Sequence, residues 1–187
     1  IESGEIELYP DVYTIEEFAR NINTVIRPLM EARKIDFIFQ MACGATCLYV
    51  DKLRYNQIFF NLLSNAAKFT PVGGCVEFVS ERIPDRDGKH GSRIYVRDNG
   101  IGMSKDFLPH IFESFTQEKS KYSDEGNSGT GLGLPIVKSL VDAMGGNIYV
   151  NSVLGKGTEF IVELYIPIAT REDKDESEDI VVDYDFT

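Results

Sequence analysis

In the run from Gln57 to Thr70 (QIFFNLLSNAAKFT), three amides and one cation recur at helical spacing among apolar residues. At 3.6 residues per turn Gln57, Asn61, Asn65 and Lys68 fall within an arc of about 80°, while Ile58, Phe59, Leu62, Leu63, Ala66 and Ala67 fill the remainder. One face packs and the other meets something polar. A solvated face ordinarily carries Glu, Lys or Arg, and asparagine is a weak helix former, so the amide oxygens invite a chemical reading. A hard cation such as Mg²⁺ takes octahedral oxygen ligands and draws only one or two from protein, the rest coming from water and substrate phosphates. On that reading Asn65 is the metal ligand, Asn61 holds a phosphate or a metal-bound water, and Lys68 is a phosphate cation. A plain polar helix edge would use the same positions, and the stripe by itself leaves both readings open.

Two glycine-bearing segments add candidate chemistry. In Asp98 to Met103 (DNGIGM), Gly100 and Gly102 flank Ile101 and allow backbone to approach a ligand closely. The carboxylate of Asp98 only accepts hydrogen bonds, which suits the exocyclic amino group of adenine and repels the oxygen that guanine presents at the same place. The alternative is an Asx-type turn closing a strand, since Asp-Asn-Gly is ordinary turn chemistry. In Gly129 to Leu134 (GTGLGL), Gly129, Thr130, Gly131, Leu132, Gly133 and Leu134 precede a helix whose first turn holds Pro135. Backbone N–H groups at a helix start favour phosphate, although a tight turn has the same composition. Neither the Gly-Lys-Ser/Thr ending of a P-loop nor the GxGxxG dinucleotide spacing is present. Phe69 either lines a base pocket or belongs to the core.

The elements that position these residues follow from periodicity. Thr14 and Glu17 form a capping box for a helix over 15–32 that contains Pro28, and Asp51 caps the helix carrying the amides, which ends near Phe69 ahead of Pro71. Residues 35–41 are strand-like. Strands over 75–83 and 93–97 flank a polar turn over 84–92, with His90 at its tip as an exposed or partly packed side chain. An amphipathic piece over 107–115 opens a long polar connection to residue 128, of a length that is usually functional. A helix over 134–144 stops at Gly145-Gly146, and a second hairpin turns around residues 154–157. Helices segregated from mostly antiparallel strands predict an α+β fold, a two-layer α/β sandwich with a mixed sheet packed on helices.

Composition narrows the function classes. A chain of 187 residues suits one domain. The net charge of −11 argues against nucleic acid as a partner, because phosphate backbones need clustered Lys and Arg; the stretch from Arg171 onward, with eight acids against two bases, supplies −6 of it. Cys43, Cys47 and Cys75 are an odd number and read as free thiols of a reducing, cytoplasmic compartment. No apolar run reaches the ~18 residues of a membrane span.

Four segments together carry a resemblance. Residues 61–70, 98–103, 112–115 (FESF) and 129–134 look like the asparagine box, first glycine box, phenylalanine box and second glycine box of sensor histidine kinases, in the same order and with similar spacing. The resemblance covers about residues 1–168, with residues 1–10 similar to the exit from a preceding dimerisation helix, 11–168 the catalytic ATP-binding domain and 169–187 an acidic tail or linker. It implies the Bergerat ATP-binding sandwich shared with gyrase B and MutL, with ATP and Mg²⁺ as cofactors. It further implies that Phe112 and Phe115 anchor an ATP lid by apolar burial, that Lys119 or Lys121 swings toward the γ-phosphate, and that Thr158 supports the adenine-reading Asp98 through a hydroxyl or water. Family lids commonly carry an arginine, which this one lacks.

The superfamily divides at the position of Asn61. Its water-hydrolysing branch places a glutamate there as general base, and an amide cannot take a proton from water at neutral pH. The resemblance therefore implies transfer of the γ-phosphoryl to a histidine on a separate dimerisation and phosphoacceptor domain, with a response regulator receiver domain downstream. The parent is then a homodimer, with or without an anchor in the inner membrane. Neither His90 nor His110 has the flanking residues of a phosphoacceptor helix. A degenerate nucleotide-binding regulatory module and an anti-sigma-type serine kinase on the same fold are the alternatives.

Overall fold

In the computed structural model, residues 6–42, 47–116 and 131–169 are described. Alternation of apolar and polar residues builds a five-stranded sheet in the order β2 (Asp36–Met41), β4 (Cys75–Arg86), β5 (Lys89–Asp98), β7 (Gly157–Ile166) and β6 (Asn147–Val153). Only the β2–β4 pair is parallel. The helices α1 (Ile15–Ala32), α2 (Lys52–Phe69) and α3 (Gly133–Ala143) join one core with the inward residues Val76, Phe78, Ile94, Val96, Phe160, Val162 and Leu164. The other face of the sheet carries charge instead: Arg93 reaches Glu163 at 2.6 Å and Glu81 at 3.2 Å, and Arg97 pairs with Glu159 and Glu77. One packed face and one solvated face are what an alternating antiparallel sheet dictates. The mixed sheet on helices is the α+β sandwich expected from the sequence.

The predicted caps form as read. Thr14 Oγ1 accepts the Glu17 N–H at 3.1 Å while Glu17 accepts the Thr14 N–H at 3.0 Å, and α1 runs through Pro28 to Ala32. Asp51 Oδ1 caps α2 by accepting the Arg54 N–H, and its other oxygen takes the Tyr9 N–H, tying the incoming chain to that helix. A two-stranded sheet of β1 (Asp11–Thr14) with β3 (Cys47–Val50) was not foreseen. Cys47 is a buried free thiol and Cys75 a half-buried one; Cys43 lies outside the described residues.

The first hairpin differs from expectation. Its strands run on to Arg86 and from Lys89, leaving only Asp87 and Gly88 as the turn, both at positive φ (52° and 73°). Asp-Gly is the pair favoured where both central residues need positive φ, so the polarity of residues 84–92 belongs to strand ends and a register shift next to Pro84. His90 consequently sits inside β5 and is only 7% exposed, with burial pushing its pKa below the ordinary value. The amphipathic piece over 107–115 reduces to one 3-10 turn, Leu108–His110, followed by buried Ile111.

Phe59 of α2 lies within 5.5 Å, ring to ring, of Phe18, Tyr55 and Phe78, joining both long helices to the sheet. Phe59→Ala is expected to lower unfolding free energy by about 3–5 kcal/mol through the lost burial and the cavity left behind. Urea denaturation followed by tyrosine fluorescence measures it, and a loss below about 1 kcal/mol would contradict this packing.

Candidate functional site

The core fixes the rotation of α2. Ile58, Phe59, Leu62 and Leu63 are fully buried, which leaves Gln57, Asn61, Asn65 and Lys68 half-exposed along one side. Among the described residues neither the Asn61 nor the Asn65 side-chain amide has a hydrogen-bond partner. The start of α3 arrives on this stripe: a Cβ added at Gly133 would stand 3.7 Å from Asn61 Oδ1 and 3.9 Å from Asn65 Nδ2. No side chain caps the first turn of α3, with Leu132 at its N-cap and Leu134 half-buried behind it. The amide groups of Asn61 and Asn65 thus face the positive end of a helix dipole, a setting for a ligand that brings its own anionic oxygens.

The first glycine segment is locked to the other end of α2. Ile101 N–H donates to the Phe69 carbonyl at 3.2 Å, and the Ile101 carbonyl accepts the Gly155 N–H at 2.7 Å from the β6–β7 turn. Gly102, at φ 63°, passes so near Val153 that a Cβ would lie 2.1 Å from its carbonyl oxygen. Asp98 ends β5 beneath this loop. Its Oδ1 accepts the Gly100 N–H at 2.9 Å, and it is the register partner of Thr158 on β7. Burial pushes the Asp98 pKa up to about 6, against the opposing pull of the Gly100 and Thr158 backbone hydrogen bonds. The Thr158 hydroxyl itself lies 2.9 Å from Ser152 Oγ on β6.

Two aromatic expectations resolve differently. Phe69 is 44% exposed with Lys68 Nζ 5.1 Å above its ring, so it lies at the surface beside the amide stripe and not in the core. Phe112 is half-buried and packs against the core beside buried Ile111. Phe115 does not: it is 76% exposed at φ 63°, a backbone conformation that turns its side chain outward. What it contributes is its N–H, which donates to the Gly131 carbonyl at 3.0 Å and holds Phe115 beside Gly131. Lys119, Lys121, Gly129 and Thr130 lie outside the described residues.

Sequence reasoning missed Ser152 and Arg33. Ser152 continues the inward row Ile148, Val150 of β6, so a hydroxyl appears where alternation calls for an apolar residue, and that was its signal. Arg33 donates to the Lys68 carbonyl at 3.1 Å from a loop with no motif. His110 pairs with Glu113 at 2.8 Å on the surface, away from any nucleophile arrangement. Among the described residues no three His, Cys, Asp or Glu side chains gather into a metal cluster. The neutral amides of Asn61 and Asn65 fit a hard cation that keeps water and phosphate as its main ligands.

Comparison with known proteins places this geometry. Residues 50–168 match the family described as histidine kinase-, DNA gyrase B- and HSP90-like ATPase. The chain is similar to the autoinducer 2 sensor kinase/phosphatase LuxQ of Vibrio parahaemolyticus, with 37% identity over 175 residues that make up 92% of this chain and 20% of that protein. Its identity to the sensor protein GacS of Pseudomonas syringae pv. syringae is 36% over 179 residues, 95% of this chain and 19% of that one. The chain therefore spans about a fifth of the length of the curated relatives it matches. Among solved structures, full-length ShkA in complex with AMPPNP aligns with a TM-score of 0.74 at 33% identity, covering 89% of this chain and 33% of that one. The catalytic domain of histidine kinase ThkA shares the fold, with a TM-score of 0.69 at 24% identity over 90% of this chain and 100% of that one.

The raised pKa of Asp98 has a stability consequence with a definite sign. An unfolded Asp titrates near 3.9, so above pH ~6 the folded chain carries a poorly solvated carboxylate, and this penalty fades as pH falls from ~6 through ~4. Asp98→Asn should stabilise the ligand-free chain by about 2–3 kcal/mol at pH 7.5, with the advantage shrinking toward zero near pH 4. Denaturant midpoints of both proteins across that range check it; a constant difference would mean that Asp98 is ordinarily solvated.

Proposed function

The chain belongs to the histidine kinase-, DNA gyrase B- and HSP90-like ATPase family, and from that premise we propose that it is the ATP-binding catalytic domain of a sensor histidine kinase, transferring the γ-phosphoryl of ATP to a histidine on a separate domain. The observation that carries this reading is the use of one helix for both ends of the nucleotide. Asn61 and Asn65 meet the start of α3, while Phe69, about 12 Å beyond Asn61 and about 6 Å beyond Asn65 along the same helix by its rise, holds the Asp98 loop. Adenine lies over Asp98, Gly100, Ile101, Gly102 and Thr158, and the phosphates run along the stripe toward the N–H groups of Gly131, Leu132, Gly133 and Leu134. Gly129 and Thr130 continue that glycine segment, and Lys121 belongs to the intervening lid.

Phosphoryl transfer asks this domain for positioning and charge, not for covalent chemistry. Asn65 is the side chain that would hold Mg²⁺, Asn61 orients a phosphate oxygen or a bound water, and Lys68 adds a positive charge. Mg²⁺, when bound, neutralises charge on the β- and γ-phosphate oxygens. Asn61 has no basicity with which to activate water, so the acceptor comes from outside: the dimerisation and phosphoacceptor domain that precedes this one. Residues 11–168 form the catalytic unit, the parent is a cytoplasm-facing homodimer, and a response regulator receiver takes the phosphoryl group onward. The Vibrio relative, named a sensor kinase/phosphatase, and the Pseudomonas relative, named a sensor protein, support the sensor kinase reading.

Two measurements test it. Asn65→Ala should weaken Mg-ATP binding about 10- to 100-fold and remove the Mg²⁺ dependence of ATP affinity, as loss of one charge-assisted contact implies. A retained Mg²⁺ dependence would move the metal ligand elsewhere. With the parent's dimerisation domain supplied in trans, ATP should yield acid-labile, base-stable phosphate on that domain. A competent acceptor left unlabelled while ATP binds would leave a binding module in place of a kinase.

A further inference from the structure

Ser152 Oγ makes three polar contacts at once. It accepts the Met103 N–H at 2.8 Å, donates to the Gly157 carbonyl at 3.0 Å, and lies 2.9 Å from Thr158 Oγ1. A serine hydroxyl has one proton and two lone pairs. An amide N–H cannot accept and a carbonyl cannot donate, so Met103 takes a lone pair of Ser152 and Gly157 takes its proton. The remaining lone pair is satisfied only if Thr158 donates. The proton of Thr158 is therefore committed to Ser152, and its oxygen offers the surroundings nothing but acceptor capacity.

Thr158 is also the cross-strand partner of Asp98. We propose that Ser152 is a positioning residue for base selectivity: by fixing the direction of the Thr158 hydroxyl, it sets two acceptors side by side for the two protons of the adenine amino group. This rests on the reading of Asp98 as the adenine contact. A base carrying a carbonyl at the same place meets two acceptors and no donor. A Thr158 hydroxyl released from Ser152 is free to rotate and donate to that carbonyl, so Ser152 excludes the wrong base without touching the nucleotide. A simple brace of the β6–β7 hairpin would behave differently, since its loss would weaken both bases alike.

ATP and inosine triphosphate differ at this position by amino against oxo, and titration calorimetry of the 187-residue chain with each in the presence of Mg²⁺ reads the ratio of their affinities. Ser152→Ala is expected to cut the preference for ATP about tenfold, the scale of one rearranged hydrogen bond, and Ser152→Thr, which keeps the hydroxyl, to retain it. An unchanged ratio in Ser152→Ala overturns the proposal. Should that variant fail to fold, Thr158→Val carries the same prediction, and an unchanged ratio there overturns it equally. Asp98→Ala separates the two layers. If it abolishes the ATP preference while Ser152→Ala leaves the preference intact, the role of Ser152 falls and that of Asp98 stands; if Asp98→Ala keeps the preference, both fall.

Discussion

Backbone meets backbone without intervening side chains where β5 ends, and the rest of the site depends on that approach. A Cβ at Gly157 would lie 1.9 Å from the Asp98 carbonyl oxygen, and one at Gly102 would lie 2.1 Å from that of Val153. Only glycine permits such contact, and Gly157 at φ 113° also needs the conformational freedom. The closeness draws the Asp98 loop down onto the β6–β7 turn and removes water from around the carboxylate. Burial of Asp98, its raised pKa and its alignment with Thr158 all follow from this contact. The ligand-free chain carries the cost of a partly desolvated acid, which the proposed contact with a base amino group would relieve.

Helix α2 converts core packing into site geometry. A rotation by one residue, about 100°, would in one sense carry Asn65 into the buried position of Ala66, and in the other bring Leu62 and Ala66 out onto the stripe, either way at a cost of several kcal/mol in lost apolar burial or unsatisfied amide. The fully buried Ile58, Phe59, Leu62 and Leu63 therefore do more than stabilise; they aim the amides. Arg33 completes the arrangement at the helix end, where its guanidinium donates to the Lys68 carbonyl and meets the negative pole of the dipole.

What could be read from the sequence was whatever is written in local spacing. The amide stripe, both helix caps, the Gly145-Gly146 stop and the second hairpin all follow from residues within one or two turns of each other. Pairings between distant segments were not visible: β1 with β3 joins four-residue strands across the whole of α1, and the parallel β2–β4 contact spans α2. The extended first hairpin was encoded by Asp87-Gly88, but a run of polar residues concealed that dipeptide. Phe115 was misjudged because the resemblance implied burial, whereas the residue is 76% exposed on a backbone at positive φ, which no local spacing announces. Ser152 gave only a hydroxyl out of phase with its strand, which gains meaning once Met103, Gly157 and Thr158 are seen around it.

The two ends of the site are built by different physics. At the Asp98 end, main-chain hydrogen bonds from Ile101 to Phe69 and from Gly155 to Ile101 knit three elements together, and Ser152 Oγ, saturated by Met103, Gly157 and Thr158, fixes the direction of the Thr158 hydroxyl. Such a surface is organised before any ligand arrives, which makes it suited to discrimination between bases, because little ordering entropy is lost on binding. At the Asn65 end the amides make no bond to a described residue, and the start of α3 lacks a side-chain cap. There the missing hydrogen-bonding and charge partners are those a triphosphate carries, so its phosphates complete the protein's own polar accounting. On the proposed reading, the base is selected by what the fold has already organised, and the phosphates are held by groups without a bond to a described residue.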